Sequence, residues 1–153
     1  MIRNPVVHFE LPAEDRERMC TFYEAAFGWK TEQLGPAMSD YVTVVTTATD
    51  ADGMPATPGA INGGFYQKTD DGAMQHPSIV ISVENLEEGM KRVLDAGGTL
   101  HGEPADIPGV GRWASFVDTE GNRVSMLEPL PRGATDTAGG SADDQAPQEM
   151  LGR

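Results

Sequence analysis

Apolar and polar positions alternate at the start of the chain, with Val7, Phe9 and Leu11 on one side and Val6, His8 and Glu10 on the other. Period-two alternation predicts a strand covered on one face only. The pattern then lengthens. Met19, Phe22, Tyr23, Ala26 and Phe27 recur at helical spacing within 15–27 and predict a helix with one apolar stripe, which Gly28 ends. A second helix is predicted over 86–96, with Leu86, Met90, Val93 and Leu94 on one face. Asn85 stands at its N-cap with Glu88 three residues on, and Gly97-Gly98 closes it. Strand patterns occupy 6–11, 29–33, 41–47, 60–67, 78–84, 99–103, 113–118 and 123–128.

The element order, strand–helix–three strands, occurs twice. A shift of seventy positions sets His8 against Ser78, Phe9 against Ile79, Leu11 against Ile81, Asp15 against Asn85 and Gly28 against Gly98. Each half reads as a βαβββ unit, 5–67 and 77–130, joined by the polar segment 68–76. The sides carrying Val7, Phe9 and Leu11, and Ile79, Ile81 and Val83, are the ones a helix covers. The opposite sides carry Val6, His8 and Glu10 in one half and Ser78, Val80 and Ser82 in the other. That face is semi-polar, as expected of a sheet lining a cleft. From 132 to 153 large apolar residues are scarce, and the composition predicts a disordered acidic tail.

Composition narrows the partners. The 153 residues hold 24 Asp+Glu against 11 Lys+Arg, a formal net charge of −13. Such a field repels nucleic acid and anionic membranes. A salt-adapted surface and an ordinary acidic cytoplasmic protein both fit this charge. No apolar run suits a membrane span and no signal peptide is evident, so a cytoplasmic location is expected. Cys20 is the only cysteine, which excludes an internal disulfide and any multi-cysteine metal site.

Among single residues, His8 and Glu10 share a strand face and form a candidate general-base pair. The bland reading is a half-buried histidine bonded across the sheet, with Glu10 the partner of Arg112 or Arg123. Those two arginines stand out in so acidic a chain, and either can hold an anionic ligand or pair with a carboxylate. Phe65, Tyr66 and Trp113 are candidate aromatic lining, although core packing explains them nearly as well. Cys20 beside Met19 reads as a packed thiol.

In order and spacing the chain resembles the vicinal-oxygen-chelate superfamily of glyoxalases, extradiol dioxygenases and bleomycin-resistance proteins. The marks are the paired βαβββ units, Phe22-Tyr23 followed by Phe27-Gly28-Trp29, Ala96-Gly97-Gly98, and Asp118-Thr119-Glu120-Gly121-Asn122 before the last strand. Residues 107–113, with 60–65, further resemble a glyoxalase-like branch. The resemblance implies one α+β domain, 1–131, in which two βαβββ units form an incomplete barrel around a cleft, and a homodimer. It also implies four metal ligands from the first, fourth, fifth and eighth strands. His8 matches the first position, whereas the others fall near Asn62 or Gly63, on Ser78 and on Ser125. Neutral hydroxyl and amide groups are poor ligands for a catalytic divalent ion, so no metal or other cofactor is expected. The implied function is binding of a small organic molecule in the cleft, at Asn62, Phe65, Ser78, Arg112, Trp113 and Ser125. The alternative is a glyoxalase-like lyase or isomerase using His8 and Glu10, with an atypical divalent metal that His76 would help to hold.

Overall fold

A computed structural model describes residues 3–131. The tail expected over 132–153 lies outside the described residues. The chain runs β1 (Val6–Ala13), α1 (Arg16–Phe27), β2 (Lys30–Gln33), β3 (Val42–Val45), β4 (Asn62–Gln67), β5 (Ser78–Ser82), α2 (Leu86–Asp95), β6 (Thr99–Ile107), β7 (Gly111–Val117) and β8 (Arg123–Pro129). All eight strands join one mixed, open sheet in the order β2-β3-β4-β1-β5-β8-β7-β6. Each βαβββ unit closes on itself through a parallel pair, β1 with β4 and β5 with β8, and the antiparallel β1–β5 pair joins the two units. The fold is α+β, as the alternation of periods predicts.

The helices begin and end for local reasons. Asp15 Oδ1 accepts the Arg18 N–H at 2.9 Å, and Gly28 takes the left-handed conformation (φ 68°) while its N–H bonds the Glu24 carbonyl. Asn85 Oδ1 accepts the Glu88 N–H at 2.8 Å. Strands β2 and β3 are shorter than their patterns, and β6 runs on to Ile107 through an irregular register between His101 and Ala105.

Both helices lie on one face of the sheet. Val42, Val44 and Phe65 are fully buried beneath α1, packed by Phe9, Leu11, Met19, Cys20, Tyr23 and Trp29. Leu86 of α2 packs with Val83, Ala114 and Met126 in the matching core of the second unit. Tyr23 stacks on Trp29 with ring centres 4.6 Å apart. The predicted stripe of α1 divides, because Phe22 and Phe27 remain 58% and 63% exposed. Ile79, expected beneath a helix, lies between the two and is exposed. Among the described residues no helix is long and apolar enough to cross a membrane.

Candidate functional site

Strand register builds the site on the inner face, the one opposite the helices. His8 pairs with Asn62 on one side and Val80 on the other, Val80 pairs with Ser125, and Ser125 with Ser115. Residues paired across neighbouring strands point the same way, so these five form a row. The next row holds Gly64, Glu10 and Ser78, with Arg123 opposite Val117. The Ser78 hydroxyl donates to the Arg123 carbonyl at 2.8 Å and ties the row together. Most of its members are small, which leaves the space above them to a few large polar side chains.

Tyr41, just before β3, reaches into that space. Its hydroxyl lies 2.9 Å from His8 Nε2 and 3.5 Å from Glu10 Oε1. Tyr41 has a single hydroxyl proton. Directed at the carboxylate, that proton leaves His8 as the donor in the shorter bond (the Nε2–H tautomer); directed at His8, it goes with the Nδ1–H tautomer. Gly64 makes the approach possible, since a Cβ there would overlap the Tyr41 ring.

Arg123 completes the cluster. Its side chain is 3% exposed, its Nη2 lies 3.9 Å from Glu10 Oε2, and its Nε donates to the Ala73 carbonyl at 3.0 Å. The Tyr66 ring sits 5.1 Å from the guanidinium carbon, within cation–π range. Tyr66 also donates to the His76 carbonyl at 2.7 Å. The connector between the two units is thereby bonded to the inner face at two points.

Burial sets the protonation states. It pushes the His8 imidazole down to about 4, so the ring is neutral at pH 7. Burial also raises the Glu10 carboxyl, against the lowering effects of Arg123 and the Tyr41 hydroxyl. Tyr41 is raised by burial first and by Glu10 second, so its hydroxyl keeps its proton. The cluster therefore offers a neutral imidazole, a phenol, a guanidinium and a carboxyl of raised pKa, all within one enclosed patch.

The sequence-predicted residues divide between the two faces. His8, Glu10, Asn62, Ser78 and Ser125 share the inner face, as does Trp113, which pairs with Leu127 one row beyond Ser125. The Asn62 amide oxygen is already committed to the Thr46 N–H at 3.0 Å. Phe65 is a correction: it points to the other face and is fully buried in the core under α1. Arg112 is the second, because strand alternation turns it to the helix side. There it pairs with Glu87 of α2 and lies 3.4 Å from Asp106. Of the two arginines weighed as partners of Glu10, Arg123 is the one. Tyr41 is the member that sequence reasoning missed, and the adjacent glycines Gly63-Gly64 in a central strand were its available signal.

Among the described residues no three of His, Cys, Asp and Glu gather in a group that could hold an ion. His76, considered above as a third ligand, is exposed in the connector. A cavity of about 750 Å³ opens mainly on the helix side of the β1–β5 seam, lined by Phe9, Leu11, Trp29, Ile61, Ile79 and Val124. It touches Ser78 and Arg123, but His8, Glu10 and Tyr41 are not among its walls.

Comparison with known proteins bears on the family and the fold. The profile of the Glyoxalase/Bleomycin resistance protein/Dioxygenase superfamily matches residues 6–126. CFP32 of Mycobacterium bovis and of Mycobacterium tuberculosis, which bears a provisional glyoxylase name, is 29% identical over 123 residues, 80% of this chain and 43% of the relative. The chain thus spans less than half the length of these curated relatives. Methylmalonyl-CoA epimerase from Mycobacterium tuberculosis superposes with a TM-score of 0.58 at 14% identity, covering 82% of this chain and 88% of the epimerase. A Streptomyces coelicolor methylmalonyl-CoA epimerase variant in complex with 2-nitronate-propionyl-CoA gives 0.59 at 14% identity, over 82% and 97%. Hypothetical protein BH1468 from Bacillus halodurans C-125 gives 0.60 at 13% identity, over 86% and 99%.

Proposed function

The chain belongs to the glyoxalase/bleomycin resistance protein/dioxygenase superfamily, and from that premise we propose that it binds a small organic molecule on its inner face without a catalytic metal. One observation carries this reading. The strand positions that resemble the family's ligand positions hold Asn62, Ser78 and Ser125, while His8 bonds to Tyr41 in a cluster with Glu10 and Arg123. Such a cluster suits hydrogen-bonded recognition of a ligand better than coordination of an ion. Purified protein, dialysed after exposure to nickel, zinc and iron salts, is expected to retain none stoichiometrically. A retained equivalent of any one overturns the metal-independent reading. A small-molecule screen is expected to find compounds that raise the melting temperature, because a ligand selective for the folded state stabilises it. The shift should disappear in His8→Ala, and an unchanged shift would move the ligand away from this cluster. The homodimer that the resemblance implies belongs to the same proposal. Sedimentation is expected to return twice the mass of the chain.

A specific observation also favours a lyase or isomerase reading. The Glu10–Tyr41–His8 chain holds exchangeable protons on one enclosed path, as proton transfer next to a carbonyl requires. Under this reading, carbonyl compounds that shift the melting temperature take up solvent deuterium at the adjacent carbon, and Glu10→Gln abolishes the uptake. Binding with no uptake by any such compound leaves the binding function alone.

A further inference from the structure

Two buried side-chain atoms among the described residues have no hydrogen-bond partner: Arg123 Nη2 and Ser125 Oγ. They stand two residues apart on β8 and so point to the same face, with Cα atoms roughly 7 Å apart. Neither opens to bulk water, since the Arg123 side chain is 3% exposed and Ser125 is wholly buried. Neighbouring groups are already engaged. Ser78 Oγ donates to a carbonyl, Ser115 Oγ donates to the Val124 carbonyl, and Arg123 Nε is held by Ala73. An enclosed donor without an acceptor is destabilising, and here two of them lie on the same face of one strand. What the patch lacks is an acceptor, not a charge. The guanidinium already has Glu10 beside it at 3.9 Å, and a second carboxylate would stand against that one.

We propose that the inner face recognises neutral carbonyl compounds, with the ligand's carbonyl oxygen accepting from Arg123 Nη2 and Ser125 Oγ. This deepens the binding function proposed above and rests on it. The Arg123–Ala73 and Tyr66–His76 bonds hold the connector across this end of the face.

The test titrates the full-length protein with acetophenone, benzoate and ethylbenzene, which share a ring and differ in the group it carries. Side-chain 15N–1H NMR follows the Arg123 guanidinium, assigned through Arg123→Lys, and benzoate is compared at matched ionic strength. Acetophenone is expected to shift the Arg123 resonance saturably and to bind about tenfold more weakly to Ser125→Ala, the loss of one hydrogen bond. Stronger binding of benzoate overturns the neutral-carbonyl assignment in favour of an oxyanion. Equal binding of ethylbenzene, indifferent to Ser125→Ala, shows an apolar pocket and overturns it as well. No shift with any probe shows a patch closed to carbonyl compounds and also overturns it. If a compound from the melting-temperature screen depends on His8 but leaves Arg123 and Ser125→Ala unaffected, the carbonyl assignment falls while the binding function stands.

Discussion

His8 is enclosed as a neutral imidazole, and that fixes how it couples to pH. Its pKa falls from 6.5 in the unfolded chain to about 4 in the folded one, so the unfolded state binds the proton more tightly. The stabilising contribution is complete above about pH 6.5 and is lost as pH falls towards 4. Between about pH 7 and about pH 5 the loss attributable to His8 is about 2 kcal/mol. Glu10 works in the opposite sense, because its raised carboxyl loses stability as pH rises through the region above 4.5. Urea denaturation of the wild type and of His8→Gln at the two pH values isolates the histidine part. The wild type is expected to lose more, and equal losses would mean that His8 is not enclosed. The Arg123–Glu10 pair gives a second prediction. Arg123→Met strands a buried carboxylate and is expected to cost about 3–5 kcal/mol, whereas adding Glu10→Gln should recover part of that. A double variant no more stable than Arg123→Met would show that the two groups are not coupled. Strand alternation made His8 and Glu10 legible as neighbours on one face. It also forbade part of what was expected, since Asn62 and Phe65 are three residues apart and an unbroken strand cannot point both inward. Arg112 could not be assigned from pattern alone, because the face it takes depends on the β7–β8 register, Trp113 with Leu127.

At the scale of elements, the site depends on β4 having almost no side chains where it passes under the others. Gly63 lies beneath the Phe9 ring on the helix side, and Gly64 beneath Tyr41 on the inner side. One strand thus admits an aromatic ring on each face, one for the core and one for the polar cluster. Gly64→Ala is expected to destabilise by about 1–3 kcal/mol through overlap with the Tyr41 ring. In a Tyr41→Ala background the same change should cost much less, and a double-mutant cycle by urea denaturation measures the difference. Equal costs in both backgrounds would mean that Tyr41 does not sit over Gly64. Helix positions and stops were legible because caps and periodicity are local: Asp15, Gly28 and Asn85 each act within four residues. The fate of the α1 stripe was not. Periodicity identifies an apolar side of a helix, but not how much of it the sheet reaches, and Phe22 and Phe27 lie beyond that reach.

For the whole molecule, the seventy-residue repeat was enough to reveal two like units, because each repeats the same order of elements. It did not reveal the seam, since the β1–β5 pairing is long-range and involves no turn. The charge acts at this same scale. A net −13 spread over one chain favours expansion, and exposed ion pairs such as Arg18–Asp15 and Arg92–Glu88 return little. Added salt is therefore expected to raise the urea midpoint, as screening removes the repulsion. The two readings of the acidity differ in where the gain ends. Screening is nearly complete once the Debye length has shrunk to about 3 Å, near 1 M salt. An ordinary acidic protein should gain mainly between about 0.05 M and about 0.5 M KCl and then level off. A salt-adapted surface should go on gaining well above about 1 M, where screening has nothing further to supply. The Arg123–Glu10 pair is an internal control. Both side chains are enclosed, so its coupling in a double-mutant cycle should stay nearly constant across the same series while the global midpoint moves. A coupling that fell with salt as steeply as a surface pair would show that solvent reaches the cluster.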